Sequence, residues 1–135
     1  MWWLWACAQP EVVLSFSPDP LDFGEVAIVP EMPEEGYAQK ELTITNAGEE
    51  SVSLSLEPYD TTWFCIEGFP PSEEPTALST LSPGAFYILK VGICGHEPGS
   101  TDTTSELGIG LLTDGSPSRF EAKVLVAPYI DTAPQ

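Results

Sequence analysis

Residues 21–26 read Leu-Asp-Phe-Gly-Glu-Val and combine an alternating strand pattern with a glycine. Leu21 and Phe23 flank Asp22, so the two apolar side chains lie on one face of an extended strand and the acid lies on the other. Gly24 then predicts a bulge or a close backbone approach. We therefore expect a bent strand, with Phe23 in the core.

Two prolines place this strand at a border of its sheet. Pro18 and Pro20 come directly before it. Proline has no N–H to donate, so within sheets it is confined to edges, first residues and bulges. The stretch at residues 21–26 is therefore predicted to be an edge strand.

Short apolar runs separated by turn signals continue along the 135-residue chain, which has 14 Pro, 11 Gly and 42% hydrophobic residues. This length and composition suit one domain with one core. Regular turns between short strands predict an all-β, immunoglobulin-like two-sheet antiparallel sandwich of about seven or eight strands. The expected strands are residues 11–17, 21–29, 37–46, 51–56, 61–67, 85–94, 106–113 and 119–127, with residues 68–82 as a proline-bearing loop.

Residues 1–10 read Met-Trp-Trp-Leu-Trp-Ala-Cys-Ala-Gln-Pro and differ from the domain expected at residues 11–128. They are shorter than the roughly 20 apolar residues that span a bilayer. Residues 4–7 resemble the end of a bacterial lipoprotein signal peptide, in which the cysteine, here Cys7, receives the lipid. Trp5 is bulky for that pattern and no Lys or Arg precedes it. Either the true start lies upstream, or the match is accidental and the tryptophans form an apolar tail or a docked strand.

Residues 129–135 are expected to be a C-terminal tail.

Four basic residues against 21 acidic ones give a formal net charge of -17. Affinity for nucleic acid depends mainly on Lys and Arg at the phosphates, so nucleic acid is excluded as a natural partner. Electrostatic docking to anionic lipid is excluded for the same reason. Contact with a membrane is therefore expected only through a lipid on Cys7.

Cys65 and Cys94 remain as a pair if Cys7 is lipidated. In their expected strands the neighbouring apolar residues point inward, which leaves both sulfurs on the opposite face. They either form a disulfide or remain two separate thiols. A bridge would stabilise the fold by roughly 3–4 kcal/mol in the chain-entropy model.

The search for chemistry favours a chain that is not an enzyme and has no cofactor or metal. His96 is the sole histidine, so a catalytic triad or a histidine-based metal site would have to use it. Strand alternation at Trp63 and Phe64 places one aromatic inward and one outward, and Trp63 is a candidate ligand surface. The other candidate surface residues are acids in two loops, Glu31, Glu34, Glu35, Glu73 and Glu74.

A family resemblance covers roughly residues 14–127. Its motifs are Leu-x-Phe-Gly-x-Val from residue 21, Leu-x-Ile-x-Asn-x-Gly from residue 42, and Pro83-Gly84 followed by Leu-x-Val-x-Ile from residue 89. In these motifs the chain resembles the ASH type of immunoglobulin-like domain, which is named for abnormal spindle and hydin proteins. That type is similar in fold to major sperm protein. The resemblance implies a binding or scaffolding module, and its bacterial relatives occur in secreted and surface proteins.

These observations together predict a non-catalytic, envelope-anchored binding or structural module. We expect an extracytoplasmic location in a bacterial envelope, as an outer-membrane lipoprotein on the periplasmic or surface side. The partner would be an unknown protein or envelope component. The alternative is a carbohydrate-binding or calcium-assisted binding protein that uses the acidic loops.

Overall fold

The structure, a computed structural model, describes residues 11–28, 37–95, 104–115 and 117–130. Nine strands form two sheets in these ranges. The four-stranded sheet has the order β1-β3-β7-β5, and the five-stranded sheet has the order β2-β9-β8-β4-β6. The strands are β1 Leu14–Ser17, β2 Leu21–Ile28, β3 Ala38–Asn46, β4 Val52–Leu56, β5 Phe64–Ile66, β6 Thr76–Leu81, β7 Phe86–Ile93, β8 Ser105–Thr113 and β9 Arg119–Ile130.

The predicted all-β immunoglobulin-like sandwich is confirmed, with three differences. Nine strands replace the expected seven or eight. The five-stranded sheet is mixed, because β2 pairs in parallel with β9 while the other pairs are antiparallel. Strand β9 also continues to Ile130, beyond the expected strand end at residue 127. Across the described ranges, no helix is long and apolar enough to cross a bilayer.

The predicted bend in the edge strand is also confirmed. Strand β2 lies at the edge of the five-stranded sheet, and its pairing with β9 shifts register between Asp22 and Glu25. Gly24 lies within that shift at a φ of 63°, and its N–H donates to Asp22 Oδ1 at 2.8 Å. A left-handed backbone of this kind favours glycine, which explains the residue at the bulge.

The core lies between the sheets and is built by strand alternation from both of them. Leu21 is fully buried and Phe23 is 8% exposed, as expected for the inward face of β2. Other strands contribute buried side chains at alternate positions in the same way. These include Leu42 and Ile44 of β3, Val52, Leu54 and Leu56 of β4, Leu89, Val91 and Ile93 of β7, and Ala122, Val124 and Val126 of β9.

Asn46 is a buried polar residue that ties the end of β3 to the end of β6. Its amide donates to the carbonyl of Leu81 at 2.9 Å and to that of Glu50 at 2.7 Å, and its Oδ1 accepts from the N–H of Gly48 at 3.0 Å. Its backbone carbonyl accepts from the N–H of Gly84 at 2.8 Å. The predicted turn residue is therefore also a structural link between the two sheets.

The prediction of a loop over residues 68–82 is wrong at its C-terminal end, where β6 forms. Strand β6 pairs with β4 in an antiparallel ladder that shifts register between Leu54 and Ser55. That shift interrupts the alternation of buried and exposed side chains, so the period-two signal is lost in this short segment.

Candidate functional site

The outer side of β6 is an open sheet edge. One side of β6 pairs with β4, and the other side faces no strand among the residues described. The sequence of β6 is Thr-Ala-Leu-Ser-Thr-Leu, without charge or proline. An edge strand with these properties presents unpaired N–H and C=O groups to any approaching chain.

A shallow surface depression, here called the cleft, lies at the Thr76 end of β6 and is too shallow to enclose a water molecule. It is formed where the segment after β4 approaches the segment that leads into β6. The hydroxyl of Tyr59 in this cleft donates to the carbonyl of Phe69. The walls combine apolar and acidic side chains, among them Glu57, Pro58, Tyr59, Pro70 and Glu74.

The two carboxylates of the cleft differ in their electrostatic surroundings. Glu57 Oε2 accepts from Arg119 Nε at 2.6 Å, and this hydrogen bond and the charge of Glu57 raise the pKa of the Arg119 guanidinium above its ordinary value. Glu74 forms no ion pair with any of the chain's four basic side chains, all of which lie in described ranges. The acidic character of the cleft therefore comes from Glu74.

The predicted acidic surface is only partly covered by the described ranges. Glu73 and Glu74 are both exposed, and Glu74 lines the cleft whereas Glu73 does not. Glu31, Glu34, Glu35, His96 and Cys7 lie outside the described residues. Within those residues, no three His, Cys, Asp or Glu side chains are grouped so that they could hold a metal ion.

The prediction that Trp63 forms an exposed ligand surface is wrong. Its side chain is 1% exposed, and that of Phe64 is 3% exposed, so both aromatics face the core. The strand begins only at Phe64, and the N–H of Trp63 donates to the carbonyl of Asp60 in the preceding turn. Strand alternation therefore does not apply to this pair.

The Cys65–Cys94 disulfide is present, with Cα atoms 5.7 Å apart. It joins β5 to the residue that follows β7. Gly92 lies opposite Cys65 in the ladder, and a Cβ at Gly92 would lie 2.9 Å from Cys65 Sγ. Glycine at this position therefore leaves room for the sulfur.

Sequence reasoning did not single out an apolar patch on the outer face of the four-stranded sheet. Phe86 is 60% exposed and Ile88 is 44% exposed. They lie opposite Thr45 and Thr43 of β3. On the other side, β5 pairs only with residues 91–93 of β7, so this end of β7 lacks a strand neighbour in the described part of the chain. The alternation that predicted Leu89 and Val91 inward already implied that Phe86 and Ile88 point outward.

No protein-family model matches the chain, and no curated protein matches its sequence. Solved structures do resemble it. The periplasmic chaperone SfaE is 16% identical, with a TM-score of 0.50, and the match covers 90% of this chain and 60% of that one. The E. coli chaperone DraB is 15% identical, with a TM-score of 0.51, and the match covers 87% of this chain and 55% of that one.

The chain thus spans little more than half the length of the chaperones that it matches. It is also similar to the ASH/PapD-like domain of human CEP192, at 8% identity and a TM-score of 0.44, over 87% of this chain and 86% of that one. The chain has the immunoglobulin-like sandwich fold found in the periplasmic chaperones, which is the fold that the ASH resemblance implied.

Proposed function

We propose that this chain is a non-catalytic, extracytoplasmic binding module that recognises a protein partner through the open edge of β6. The observation that carries the proposal is the uncharged, proline-free outer side of this six-residue strand. An extended segment that adds to such an edge gains main-chain hydrogen bonds, with specificity from pockets for its side chains.

Strand β6 is a better docking edge than the exposed end of β7. The patch at Phe86 and Ile88 has the larger apolar exposure. The part of β7 that lacks a neighbour is shorter, however. Strand β5 pairs with residues 91–93 of β7, and the N–H of Glu67 donates to the carbonyl of Lys90. A longer open edge allows more ladder hydrogen bonds, which favours β6.

Protein binding is also supported by the class of the structural neighbours. SfaE and DraB are chaperones, and chaperones act on other proteins. The partner of this chain would be a protein or another envelope component.

An extracytoplasmic location is supported by the disulfide and by the periplasmic neighbour SfaE. Disulfides persist mainly in oxidising compartments. We further propose that Cys7 carries a lipid and anchors the module as an outer-membrane lipoprotein, on the periplasmic or surface side. Metabolic labelling with a fatty-acid analogue tests this, since label should enter the native chain and be lost in Cys7→Ser.

Site-specific photocrosslinking in the native envelope tests the binding edge. A photoreactive residue at Ser79, exposed on β6, should give a crosslinked protein band. The same residue at Glu25, exposed on β2, is the matched control and should give a much weaker band. Equal yields at the two positions would contradict a β6 site.

Thermal unfolding with and without calcium separates this function from the calcium-assisted alternative. A ligand that binds only the folded state raises the melting temperature. We expect the same Tm in millimolar calcium as in its absence, and a reproducible increase would favour the acidic-loop alternative.

A further inference from the structure

We infer that the occupant of the β6 edge is an extended peptide segment carrying a Lys or Arg, whose side chain lies against the exposed Glu74 at the rim of the cleft. This inference rests on the proposed function and adds the chemistry of the partner.

The edge and the cleft are continuous at Thr76. Thr76 is the first residue of β6 and also lines the cleft. A strand that pairs along the six residues of β6 would run for about 20 Å. If it continues past Thr76, its next side chains lie beside the segment that leads into β6, which includes Glu74. Backbone pairing and side-chain recognition can therefore come from one bound segment.

The outer surface of β6 is open to such a segment. Ala77 and Ser79 are exposed and small, and Thr80 is exposed as well. None of these side chains carries a charge that would be desolvated by an added strand. The edge therefore lacks the charged side chains that proteins use to prevent strand addition.

Charge complementarity identifies the side chain that the cleft would accept. Glu57 already pairs with Arg119, whereas Glu74 pairs with none of the chain's basic residues. The chain as a whole carries a charge of -17. A basic partner is attracted by this field, and a second copy of the chain is repelled by it.

Apolar residues around Glu74 suit the aliphatic stem of a basic side chain. Pro58, Tyr59 and Pro70 supply apolar surface next to the carboxylate of Glu74. Lys and Arg bury their aliphatic stems against apolar surface while the charged end remains in contact with polar groups. The hydrogen bond from Tyr59 to Phe69 holds one wall in place.

Fluorescence anisotropy with synthetic peptides tests the inference on the full chain. The probe is a labelled ten-residue peptide of alternating Val and Thr with Lys near each end, so that either strand direction brings a Lys to the cleft. Replacing both Lys by norleucine keeps the stem and removes the charge. We expect that replacement to weaken binding about three- to five-fold.

Two protein variants test whether Glu74 causes the preference for the Lys peptide over the norleucine peptide. Glu74→Gln should bind the Lys and norleucine peptides equally well, since the charge partner is gone. Glu73→Gln makes the same change of net charge at the adjacent exposed residue outside the cleft, and it should keep the preference for Lys. Both positions are exposed, so both variants should fold.

A peptide with two backbone N-methyl groups on its pairing side tests strand addition without altering the protein. Its binding should fall about ten-fold or more, because two ladder hydrogen bonds are removed. If the N-methyl groups weaken binding but Glu74→Gln leaves the Lys preference intact, the inference is overturned and the β6 edge stands. If no Lys peptide binds the wild-type chain, the inference is overturned, and the crosslinking at Ser79 decides the proposed function separately.

Discussion

The two outer edges of the five-stranded sheet, β2 and β6, differ in their charged residues. Strand β2 contains Asp22 and Glu25 and is bent by the bulge at Gly24. Strand β6 contains no charged residue. Charges and bulges prevent edge-to-edge pairing. One edge of this sheet therefore has both protections, whereas the other edge has a register shift in its ladder with β4 but no charge.

The two edges also differ in what they contribute to the core. Four residues of β2 are buried, namely Leu21, Phe23, Val26 and Ile28, whereas Leu81 is the buried residue of β6. A strand that supplies much of the core must be fixed for the fold to be stable. A strand that supplies little can present its free side to a partner, and the contrast indicates that β2 serves the fold and β6 serves binding.

Truncation of a core side chain should lower the free energy of unfolding more in β2 than in β6. Phe23→Ala should lower the free energy of unfolding by about 3–5 kcal/mol, because Phe23 is 8% exposed. The matched change Leu78→Ala in β6, at a half-buried position, should lower it by about 1–2 kcal/mol. Urea denaturation measures both, and equal losses would show that β6 is as much a part of the core as β2.

Removal of the Asn46 side chain should act on β6 and spare β2. Asn46→Ala leaves the carbonyl of Leu81 without its buried donor and should lower the free energy of unfolding by about 2–3 kcal/mol. Hydrogen exchange should then show faster exchange in β6 than in β2. Thr45→Ala, on the outer face of the same strand, is the control and should change stability by less than about 1 kcal/mol.

Substitution at Gly24 tests the bulge that shapes the β2 edge. Gly24→Ala should lower the free energy of unfolding by about 1–2 kcal/mol because of its φ of 63°. A Cβ at this position would meet nothing within 4 Å, so the loss comes from the backbone and not from crowding. Gly24→Asn should lose less, since Asn tolerates left-handed backbone better. Equal melting temperatures for all three chains would contradict this account.

Adding a charge to the open edge should have the smallest effect on stability and a large effect on binding. Ser79→Lys is expected to change the free energy of unfolding by less than about 0.5 kcal/mol, because Ser79 is exposed. It should nevertheless prevent strand addition to β6 in the anisotropy measurement. The converse change Glu25→Ser should not create a site on β2, because Asp22 and the left-handed bulge at Gly24 remain. Peptide binding to β2 in Glu25→Ser would show that the charge of Glu25 had protected that edge.

Strand alternation predicted the parts of the fold that have one buried face. Leu42 and Ile44 of β3, like Leu89 and Val91 of β7, are buried as the pattern requires. Strand β6 was missed because its pairing with β4 shifts register, which breaks the pattern within six residues. Alternation is a reliable signal only where the ladder is regular.

The candidate site was less predictable from sequence than the fold. Glu74 was identified as part of an acidic loop, but its position in a cleft depends on the approach of Pro58 and Tyr59 from a separate segment. That approach is a tertiary contact with no local signal. Trp63 was misplaced because the turn at Asp60 precedes its strand, and that turn changes the direction of the side chain.

The buried amide of Asn46 has a further consequence for recognition. Its hydrogen bond to Leu81 fixes β6 along the core, so the strand cannot slide by one residue without losing that bond. A one-residue slip would also exchange the inward and outward side chains of β6. An added strand therefore pairs with β6 residues whose position is fixed, and the cleft lies at a constant distance from them. The edge can then distinguish partners by the spacing between a basic residue and the strand that precedes or follows it, and not by composition alone.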